Sequence, residues 1–451
     1  MPVSLFKIIN RNSIIRSIGR MSSPYRRCGA ALVCFFMLIR RAPAQDVLTP
    51  PPATPATPPA VQEYQNNNPM QVFAPTEEPE SPVPLQWGPV TLHPHLDYQF
   101  LYGNGIESSP GQQQGTIVQK VSPGVLFNLG DHWTLDYTPT LTFYSSSSFR
   151  NTVNESVLLS WGTAYGGDWF FSGSQSYTYS SDPDVETAAQ TGQQSYSTAL
   201  SASYQMNNKM WLDMGLNQKL NYIGNGASST NYTQNLTDSK AWSTMDWLNY
   251  QFWPRFSIGL GVGVGYTIQD GSPDSINEQY QARVNWRATD KISFQLSGGL
   301  EDQQYMRGGA SALLTPIFSA TIQYQPFEQT QLSVNASRSV SPSDFQSQVT
   351  ESTGITADLN QRLLGRLYLD LSGDYNKTKY VASVFGLSTG RNDELYSFNA
   401  RLTCPLFNNR AKVSVFYEYS DNSSIQSGFA LSGSAFAYKS SQVGLEIGYR
   451  Y

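Results

Sequence analysis

The feature that most constrains this chain is a period-two alternation of apolar and polar residues from about residue 90 to the C-terminus. In residues 256–266, for example, large apolar side chains occupy the even positions, and serine or glycine occupies the odd ones. This period places the two sets on opposite faces of a β-strand. Each run lasts about nine to twelve residues, which a tilted strand needs to cross a bilayer. The pattern therefore predicts an all-β fold of long strands.

The connections between these runs fall into two classes that alternate along the chain. Short turns are predicted at residues 130–132, 166–168, 207–209, 254–255, 289–291, 327–329, 365–366 and 408–410. Longer polar loops are predicted at 104–115, 146–153, 181–194, 224–231, 270–275, 303–311, 339–350, 381–394 and 420–435. This asymmetry predicts a transmembrane antiparallel up-and-down β-barrel of about 18 strands (16–18), with both termini periplasmic. None of the loops has the length of an obvious constriction, and the strand before Pro254 (236–253) keeps no single parity.

The charged residues inside the predicted strands fall on the face opposite the apolar set. A charge on the lipid face at mid-bilayer costs about 2–4 kcal/mol for Arg or Lys, so these side chains are expected to line the lumen. They are Asp97, Asp136, Asp213, Lys219, Arg283, Arg287, Asp358, Arg362, Asp370, Arg401, Glu418 and Glu446. Two roles remain open for the basic members: a transverse field that tunes selectivity, or ion pairs that stabilise the wall.

Period two alone does not separate a membrane barrel from a soluble sandwich, so composition enters at this point. Charged residues make up only 14% of the chain, whereas aromatic residues make up 13%. Tyrosine and tryptophan concentrate near the strand ends, as in the aromatic girdles of membrane barrels. Strand length, turn asymmetry and these aromatic residues together favour the membrane.

The first 88 residues lack the alternation and divide into two parts. Residues 1–44 combine basic residues, an apolar run (30–39) and small residues at 42–44, which predicts a secretory signal peptide. Residues 45–88 are rich in proline, threonine and glutamine and are expected to be disordered in the periplasm, leaving 89–451 as the barrel. A spacer, a plug inside the barrel and a docking segment for a periplasmic partner all fit residues 45–88. Because the leader is basic, the remainder is strongly acidic, and no nucleic-acid partner is expected.

The C-terminus carries a more specific signal. Val443, Leu445, Ile447, Tyr449 and Tyr451 alternate up to an aromatic last residue. This resembles the C-terminal strand that the assembly machinery of Gram-negative outer-membrane proteins recognises; Phe or Trp is the common last residue there, and Tyr451 departs from it. The resemblance is to the porin-like outer-membrane β-barrel superclass, with no specific family, and it implies the cell outer membrane, its lipid and the barrel-assembly machinery as partners.

Two further patterns are candidate sites. His93, His95 and Asp97 share one face of the first strand and could hold a metal, but a hydrated lumen wall is the preferred interpretation, and no metal or cofactor is expected. The chain has 3 histidines, and two of them lie on that strand, so no enzymatic activity is expected. Glycines at 259, 261, 263 and 265 do not have phosphate-loop spacing; they are expected to leave room for something packed inside the barrel or to ease its curvature.

Three functions are compatible with these observations. A barrel of 16–18 strands encloses an aqueous channel unless something fills it, which favours a porin-like channel for passive diffusion of small hydrophilic solutes. The alternatives are the barrel component of a polysaccharide or polymer export system, and a non-conducting structural or surface barrel.

Overall fold

The computed structural model describes residues 85–109, 111–130, 132–184, 186–224, 236–306, 311–384, 390–407, 410–426 and 436–451. The predicted signal peptide (1–44) and almost all of the proline-rich segment (45–88) lie outside these ranges. All of the regular structure described is β, and no helix long and apolar enough to span a bilayer occurs in the same ranges.

Twenty-one strands follow one another along the described chain. They are β1 Leu85–Trp87, β2 Val90–Ser109, β3 Gln112–Leu129, β4 Trp133–Tyr144, β5 Thr152–Tyr165, β6 Trp169–Ser180, β7 Pro183–Asp184, β8 Ala189–Gln190, β9 Gln193–Asn207, β10 Met210–Ile223, β11 Ser239–Trp253, β12 Phe256–Gln269, β13 Ser275–Thr289, β14 Ile292–Tyr305, β15 Leu313–Phe327, β16 Thr330–Pro342, β17 Gln348–Leu363, β18 Leu367–Ala382, β19 Arg391–Leu406, β20 Ala411–Gln426 and β21 Tyr438–Arg450.

Eighteen of these strands form one closed antiparallel barrel. β2–β6 and β9–β21 each pair with their neighbours in chain order, and β2 pairs with β21 to close the sheet, from His95↔Arg450 to Asn104↔Ser441. The predicted fold class and strand number are therefore confirmed. The three remaining strands are short: β1 pairs with the start of β2, and β7 and β8 form a small hairpin.

The two faces of the barrel differ as the alternation predicts. On β12, Leu260, Val262 and Val264 are 69%, 53% and 55% exposed. We call the face that carries these exposed apolar side chains the outer face and the opposite one the inner face. The inner face is dominated by small polar residues, many of them buried against their neighbours, such as Thr134, Thr142 and Ser414.

Aromatic side chains pack together near both ends of the strands. Next to the short turns, Trp133 and Trp161 have ring centroids 5.3 Å apart, and Trp169 stacks on Tyr204 at 4.5 Å. Towards the longer connections, Tyr177 packs on Tyr196 at 4.9 Å, and Trp242 stacks on Tyr266 at 6.4 Å. Neighbouring aromatic residues at both borders of an apolar band are typical of membrane barrels.

Several predicted loops are shorter than expected because the strands continue into them. β2 and β3 extend to Ser109 and from Gln112, inside the predicted loop 104–115. β16 likewise extends to Pro342, and β20 to Gln426. These extensions are mostly polar, so backbone pairing continues where the apolar alternation has ended. Sequence periodicity therefore detects the apolar band of each strand and misses its polar extension.

The placement of side chains on β11 explains why residues 236–253 keep no single parity. Trp242 and Leu248 share the parity of the outer face, whereas Trp247 has the opposite parity and is only 7% exposed. A tryptophan on the inner face interrupts the expected pattern because the inner wall holds a large aromatic ring at this place.

Candidate functional site

The candidate site is the barrel interior together with the end that carries the longer connections, which we call the mouth. The twelve charged residues singled out from the sequence all have the parity of the inner face in the observed strands. They do not form one array. Half of them belong to two separate networks, and the others have local partners or face open space.

The first network surrounds Arg283 on β13. Its guanidinium forms an ion pair with Asp213, donates through Nε to Asn249 Oδ1 at 2.7 Å, and stacks over Trp247 with 4.6 Å to the ring centroid. Asp213, which is only 2% exposed, also accepts hydrogen bonds from Ser203 and from the Trp211 indole at 2.8 and 3.1 Å. The pair is therefore buried, and both of its members make further hydrogen bonds, as a charged pair removed from water requires.

The glycines of β12 make this network possible. A Cβ built on Gly261 would lie 2.6 Å from Met245 Cε and from Trp247 Cε3, and one on Gly259 would lie 2.4 Å from Asn249 Oδ1. The glycines thus leave space into which side chains of the neighbouring strands fold flat. This agrees with the expectation that they leave room for something packed inside the barrel; the packed groups are wall side chains.

The second network lies at the seam between the last strands and β2. Glu446 accepts from Arg401 at 3.0 Å and from Lys412 at 2.8 Å. Lys412 Nζ also lies 3.8 Å from Asp97 Oδ1, and Arg401 is the register partner of Asp370 on β18. Opposite charges alternate here, so the network is close to neutral.

The remaining predicted residues have local partners or face open space. Asp136, Asp358 and Glu418 accept hydrogen bonds of 3.0, 3.0 and 3.2 Å from Thr138, Ser333 and Asn399. Arg362 folds onto the adjacent short turn, with its Nε 2.9 Å from the Gly365 carbonyl oxygen. Arg287 is half-buried, and Lys219 is exposed.

The residues weighed as a metal site do not converge. His95 Nε2 lies 3.0 Å from Thr138 Oγ1 on a neighbouring strand. No group of three His, Cys, Asp or Glu side chains within the described ranges has the geometry to hold a metal ion.

Two segments that were predicted to be simple loops meet across the mouth. The first is the β6–β9 connection (181–192), which contains the small hairpin. The second is the β16–β17 connection (343–347), which starts on strands far around the barrel. Glu186 Oε1 of the first segment accepts from the Ser343 hydroxyl at 2.5 Å and from the Asp344 backbone N–H at 3.0 Å. Because the two walls are far apart in strand order, this contact spans the mouth.

The second segment is also fixed to a third part of the wall. Gln269 of β12 donates to the carbonyl oxygens of Ser343 and Phe345 at 2.8 and 3.2 Å. The Thr237 N–H donates to the Asp344 carbonyl oxygen at 3.0 Å. Residues 343–347 thus bridge from β16 to β11 and β12. Neither segment has the length of an obvious constriction, but together they cross the mouth through this contact.

An arginine held among aromatic rings supports this crossing. Arg391 Cζ lies 3.8 Å from the Phe436 ring centroid, 4.3 Å from that of Tyr380 and 5.8 Å from that of Phe345. Its guanidinium binds Asp393 with three contacts of 2.6, 3.0 and 3.1 Å, and Nη1 donates to the Glu186 carbonyl oxygen at 3.1 Å. Ala188 and Leu236 complete the apolar side of this mouth cluster. Sequence reasoning missed the cluster; its only signal was Phe345, an isolated aromatic residue in a polar loop.

Charge at the crossing is predominantly acidic. The pKa of Glu186 is raised to about 7, chiefly by burial and also by nearby Asp184, while the hydrogen bond from Ser343 and the charge of Arg391 act in the opposite direction. Burial also raises the pKa of Asp344 well above its ordinary value, and the carboxylates of Glu186 and Asp184 add to this effect. A carboxyl group with a pKa of about 7 therefore lies between the two segments, beside a second carboxyl group whose pKa is also raised.

Comparison with known proteins is consistent with this architecture. The family model described as "Putative beta-barrel porin 2" matches residues 247–447. The solved structures similar to this chain include OccK2 (OpdF) of Pseudomonas aeruginosa, with a TM-score of 0.44 and 9% identity over 80% of this chain and 98% of that one. OpdO of P. aeruginosa has a TM-score of 0.42 and 11% identity over 80% and 97%. The FrpB iron transporter from Neisseria meningitidis has a TM-score of 0.42 and 9% identity, over 80% of this chain and 81% of that one. A search of curated proteins found no match.

Proposed function

We propose that this protein is a porin-like channel of the Gram-negative outer membrane through which small hydrophilic solutes diffuse passively. The observation that carries the proposal is the state of the inner-face charges. Lys219 is exposed inside the closed barrel. The side chains of Asp97 and Lys412 are 39% and 44% exposed. Charged groups that stay exposed on the inner face, behind an apolar outer face, require water in the interior.

In this proposal the inner-face ion pairs stabilise the wall, and the exposed charges act on the solute. Arg283 and Arg401 are already paired with carboxylates, so they contribute little net field. Lys219 lies near enough to the crossing segments for its positive charge to lower the pKa of Asp344. The acidic crossing (Asp184, Glu186, Asp344 and Asp393 around Arg391) is the narrow part and favours cations over anions.

The orientation and biogenesis follow from the same proposal. The mouth is extracellular, the short turns and both termini are periplasmic, and residues 1–44 direct export. The outer-face residues of β21 (Val443, Leu445, Ile447 and Tyr449), together with Tyr451, are the signal for the barrel-assembly machinery. Residues 45–88 are a periplasmic segment that could engage a periplasmic partner.

The test is single-channel recording in planar bilayers, with the full chain refolded into detergent. Openings with a cation-favouring reversal potential are expected above neutral pH. Lys219→Glu should increase cation selectivity, because it reverses an exposed inner-face charge. Lys240→Glu is the matched control on the next strand, where the side chain lies on the outer face and over Tyr222; its reversal potential should equal that of the wild type.

Other outcomes would decide against this function. Correctly folded protein with no openings would refute the channel and leave a structural or surface role. Openings that appear only when residues 45–88 are removed would indicate a plugged barrel and favour polymer export. Equal shifts from both lysine variants would mean that Lys219 does not face the conducting path.

A further inference from the structure

The short-turn end of the barrel is basic along one wall. We call Arg366, Arg410 and Arg450 the basic rim; they lie in the β17–β18 turn, in the β19–β20 turn and at the end of β21. Arg366 and Arg450 are exposed, and Arg410 is half-buried. The described residues of these two turns contain no Asp or Glu. Short turns elsewhere carry charges of both signs, namely Lys209, Arg255 and Lys291 with Asp168, Asp290 and Glu328.

The three arginines of the basic rim are close enough to act on one ligand. The Arg450 backbone N–H donates to the Arg410 carbonyl oxygen at 2.7 Å, so these two residues are neighbours. Arg366 belongs to the adjacent hairpin, two strand spacings or about 10 Å away. Like charges at this separation repel one another, because the screening length is also about 10 Å at 0.1 M salt. An anionic group that binds along the rim relieves this repulsion.

The first strand brings the preceding chain to the same place. β1 pairs with the edge of β2 that β21 occupies further along, because β3 takes the other edge. Leu85 lies opposite Leu92, and the Tyr451 N–H donates to the Pro94 carbonyl oxygen at 3.0 Å. β1 therefore cannot extend upstream by more than one residue without meeting Tyr451. The chain before Leu85 must leave the wall beside the end of β21.

The segment that leaves the wall at this point is acidic. Residues 45–84, which precede the described ranges, contain no Lys or Arg, and their acidic residues are Asp46, Glu63, Glu77, Glu78 and Glu80. We call Glu77, Glu78 and Glu80 the acidic stretch. The charge of this segment is therefore opposite to that of the basic rim.

The acidic stretch is tethered within reach of the basic rim. It lies five to eight residues before Leu85, and a chain of that length spans up to about 17–28 Å. Arg450 is about 10 Å from Leu85, because their partners on β2, His95 and Leu92, are three residues apart. Arg366 lies in the turn three to four strands away, at about 17 Å. All three arginines are accessible to the tethered carboxylates.

We infer that the acidic stretch docks on the basic rim of its own chain, at the short-turn opening of the barrel. The inference goes beyond the proposed function and does not depend on conduction. Guanidinium groups bind carboxylates through two parallel N–H···O bonds, so the rim matches the acidic stretch in geometry as well as in charge. Each exposed ion pair favours contact by a factor of about 1.4–5, so three pairs favour docking about threefold or more.

The tether is the first reason for choosing this occupant over others. A linked segment acts at an effective concentration in the millimolar range, which a separate acidic protein does not match. The second reason concerns lipid. Arg450 has the parity of the inner face, whereas its neighbour Tyr449 is 46% exposed on the outer face. The Arg450 position is therefore directed away from the lipid headgroups that surround the barrel.

The experiment is disulfide trapping in phosphatidylcholine vesicles, with a full-length background in which Cys28, Cys34 and Cys404 are replaced by alanine. Thr76→Cys places a thiol next to the acidic stretch. Leu364→Cys, at a position that is 93% exposed, places the second thiol beside Arg366. His132→Cys, in the exposed β3–β4 turn, is the matched control. It lies about one strand nearer to β1 on the other side, so tether length alone favours the control.

We expect at least threefold more cross-linking to residue 364 than to residue 132 at low salt. The preference should disappear at about 1 M salt, where the screening length is only about 3 Å. It should also disappear when Glu77, Glu78 and Glu80 are all changed to Gln, and it should persist with Asp46→Asn and Glu63→Gln.

A second set of variants tests the rim itself. Changing Arg366, Arg410 and Arg450 to Gln should remove the preference. Changing the same number of charges on other walls should retain it, and the control variants are Lys209→Gln, Arg255→Gln and Lys291→Gln. Because the Glu variants lie outside the barrel, they keep the test decisive if the Arg variants fold poorly.

Three outcomes would overturn the inference. Equal cross-linking at residues 364 and 132 in low salt would mean that the segment does not dock. A preference that survives 1 M salt or the three Glu changes would mean that these charges do not hold it. Loss of the preference in vesicles that contain anionic lipid would mean that the rim binds lipid phosphate instead. None of these readouts depends on whether the barrel conducts, so the channel proposal stands or falls separately.

Discussion

The contact between the crossing segments is expected to depend on pH through Glu186. In the closed arrangement its carboxylate lies against Ser343 and Asp344, and its pKa is raised to about 7 from an ordinary 4.5. Below about pH 4.5 the group is protonated whether the segments are together or apart, and the contact has its full stability. As pH rises through 7 the closed form must hold a charge, and that stability is lost. The contact is therefore strongest in acid and weakest above neutral pH.

The size of the effect follows from the same shift. Each pKa unit corresponds to 1.36 kcal/mol, so Glu186 alone weakens the contact by about 3 kcal/mol between acid and alkaline conditions. That corresponds to a change of roughly a hundredfold in the ratio of closed to open mouths. Asp344 has the same sign, since its pKa is also raised. The cations that oppose the effect are Arg391 on β19 and Lys219 on β10.

The assay is the open probability of single channels between about pH 4.5 and 8.5. Wild type should be mostly closed in acid and should open as the pH rises through neutrality. Glu186→Gln keeps the acceptor oxygen but removes the charge, so most of this transition should disappear and the mouth should stay largely closed. Glu155→Gln, on the outer face of β5, is the control and should behave like wild type. An open probability that falls as pH rises, or a Glu186→Gln channel with an unchanged transition, would refute the reasoning.

Three further changes test other parts of the barrel. Gly261→Val should destabilise the protein by about 1–3 kcal/mol because the added methyls collide with Met245 and Trp247; urea unfolding in lipid measures it, and Leu260→Val on the exposed outer face should cost less. Asp213→Asn should lower the free energy of unfolding by about 3–5 kcal/mol because it leaves Arg283 buried without its carboxylate. The Asp213→Leu, Arg283→Met double variant should lower it by less than either of its single changes, and equal losses would mean that the pair is solvated. Arg391→Gln should remove about 2 kcal/mol of cation–π stabilisation from the mouth cluster and raise the open probability at pH 5, whereas Arg366→Gln in a short turn should leave it unchanged.

The features predictable from sequence are those set by local periodicity. The parity of a residue within its strand predicts the face on which it lies, as for Leu260 on the outer face and Asp213 on the inner face. The alternation of short and longer connections predicts the number of strands. Parity fails where a side chain is placed by a neighbouring strand. Trp247 is on the inner face because Gly261, on β12, leaves it room, and no pattern within β11 records this.

The mouth cluster was beyond prediction for a different reason. Glu186 and Ser343 are separated by 157 residues and meet only because both connections turn inward. Each segment taken alone is a short polar stretch whose sequence is typical of an ordinary loop. Arg391 gives no sign in the sequence that Phe436 and Tyr380 surround it, since Phe436 comes from a distant part of the chain and Tyr380 lies across the β18–β19 connection.

The pairing of β2 with β21 also determines how the chain can be completed. The first and last long strands of the sheet are neighbours, so synthesis must reach the final residues before any arrangement without a free edge exists. A chain that ends before Tyr438 has two strand edges whose N–H and C=O groups find no partner in hydrocarbon, and it has no stable resting place in the bilayer. We therefore expect a truncated chain not to insert into the membrane, because its unpaired backbone groups are unfavourable there, and to be degraded in the aqueous compartment.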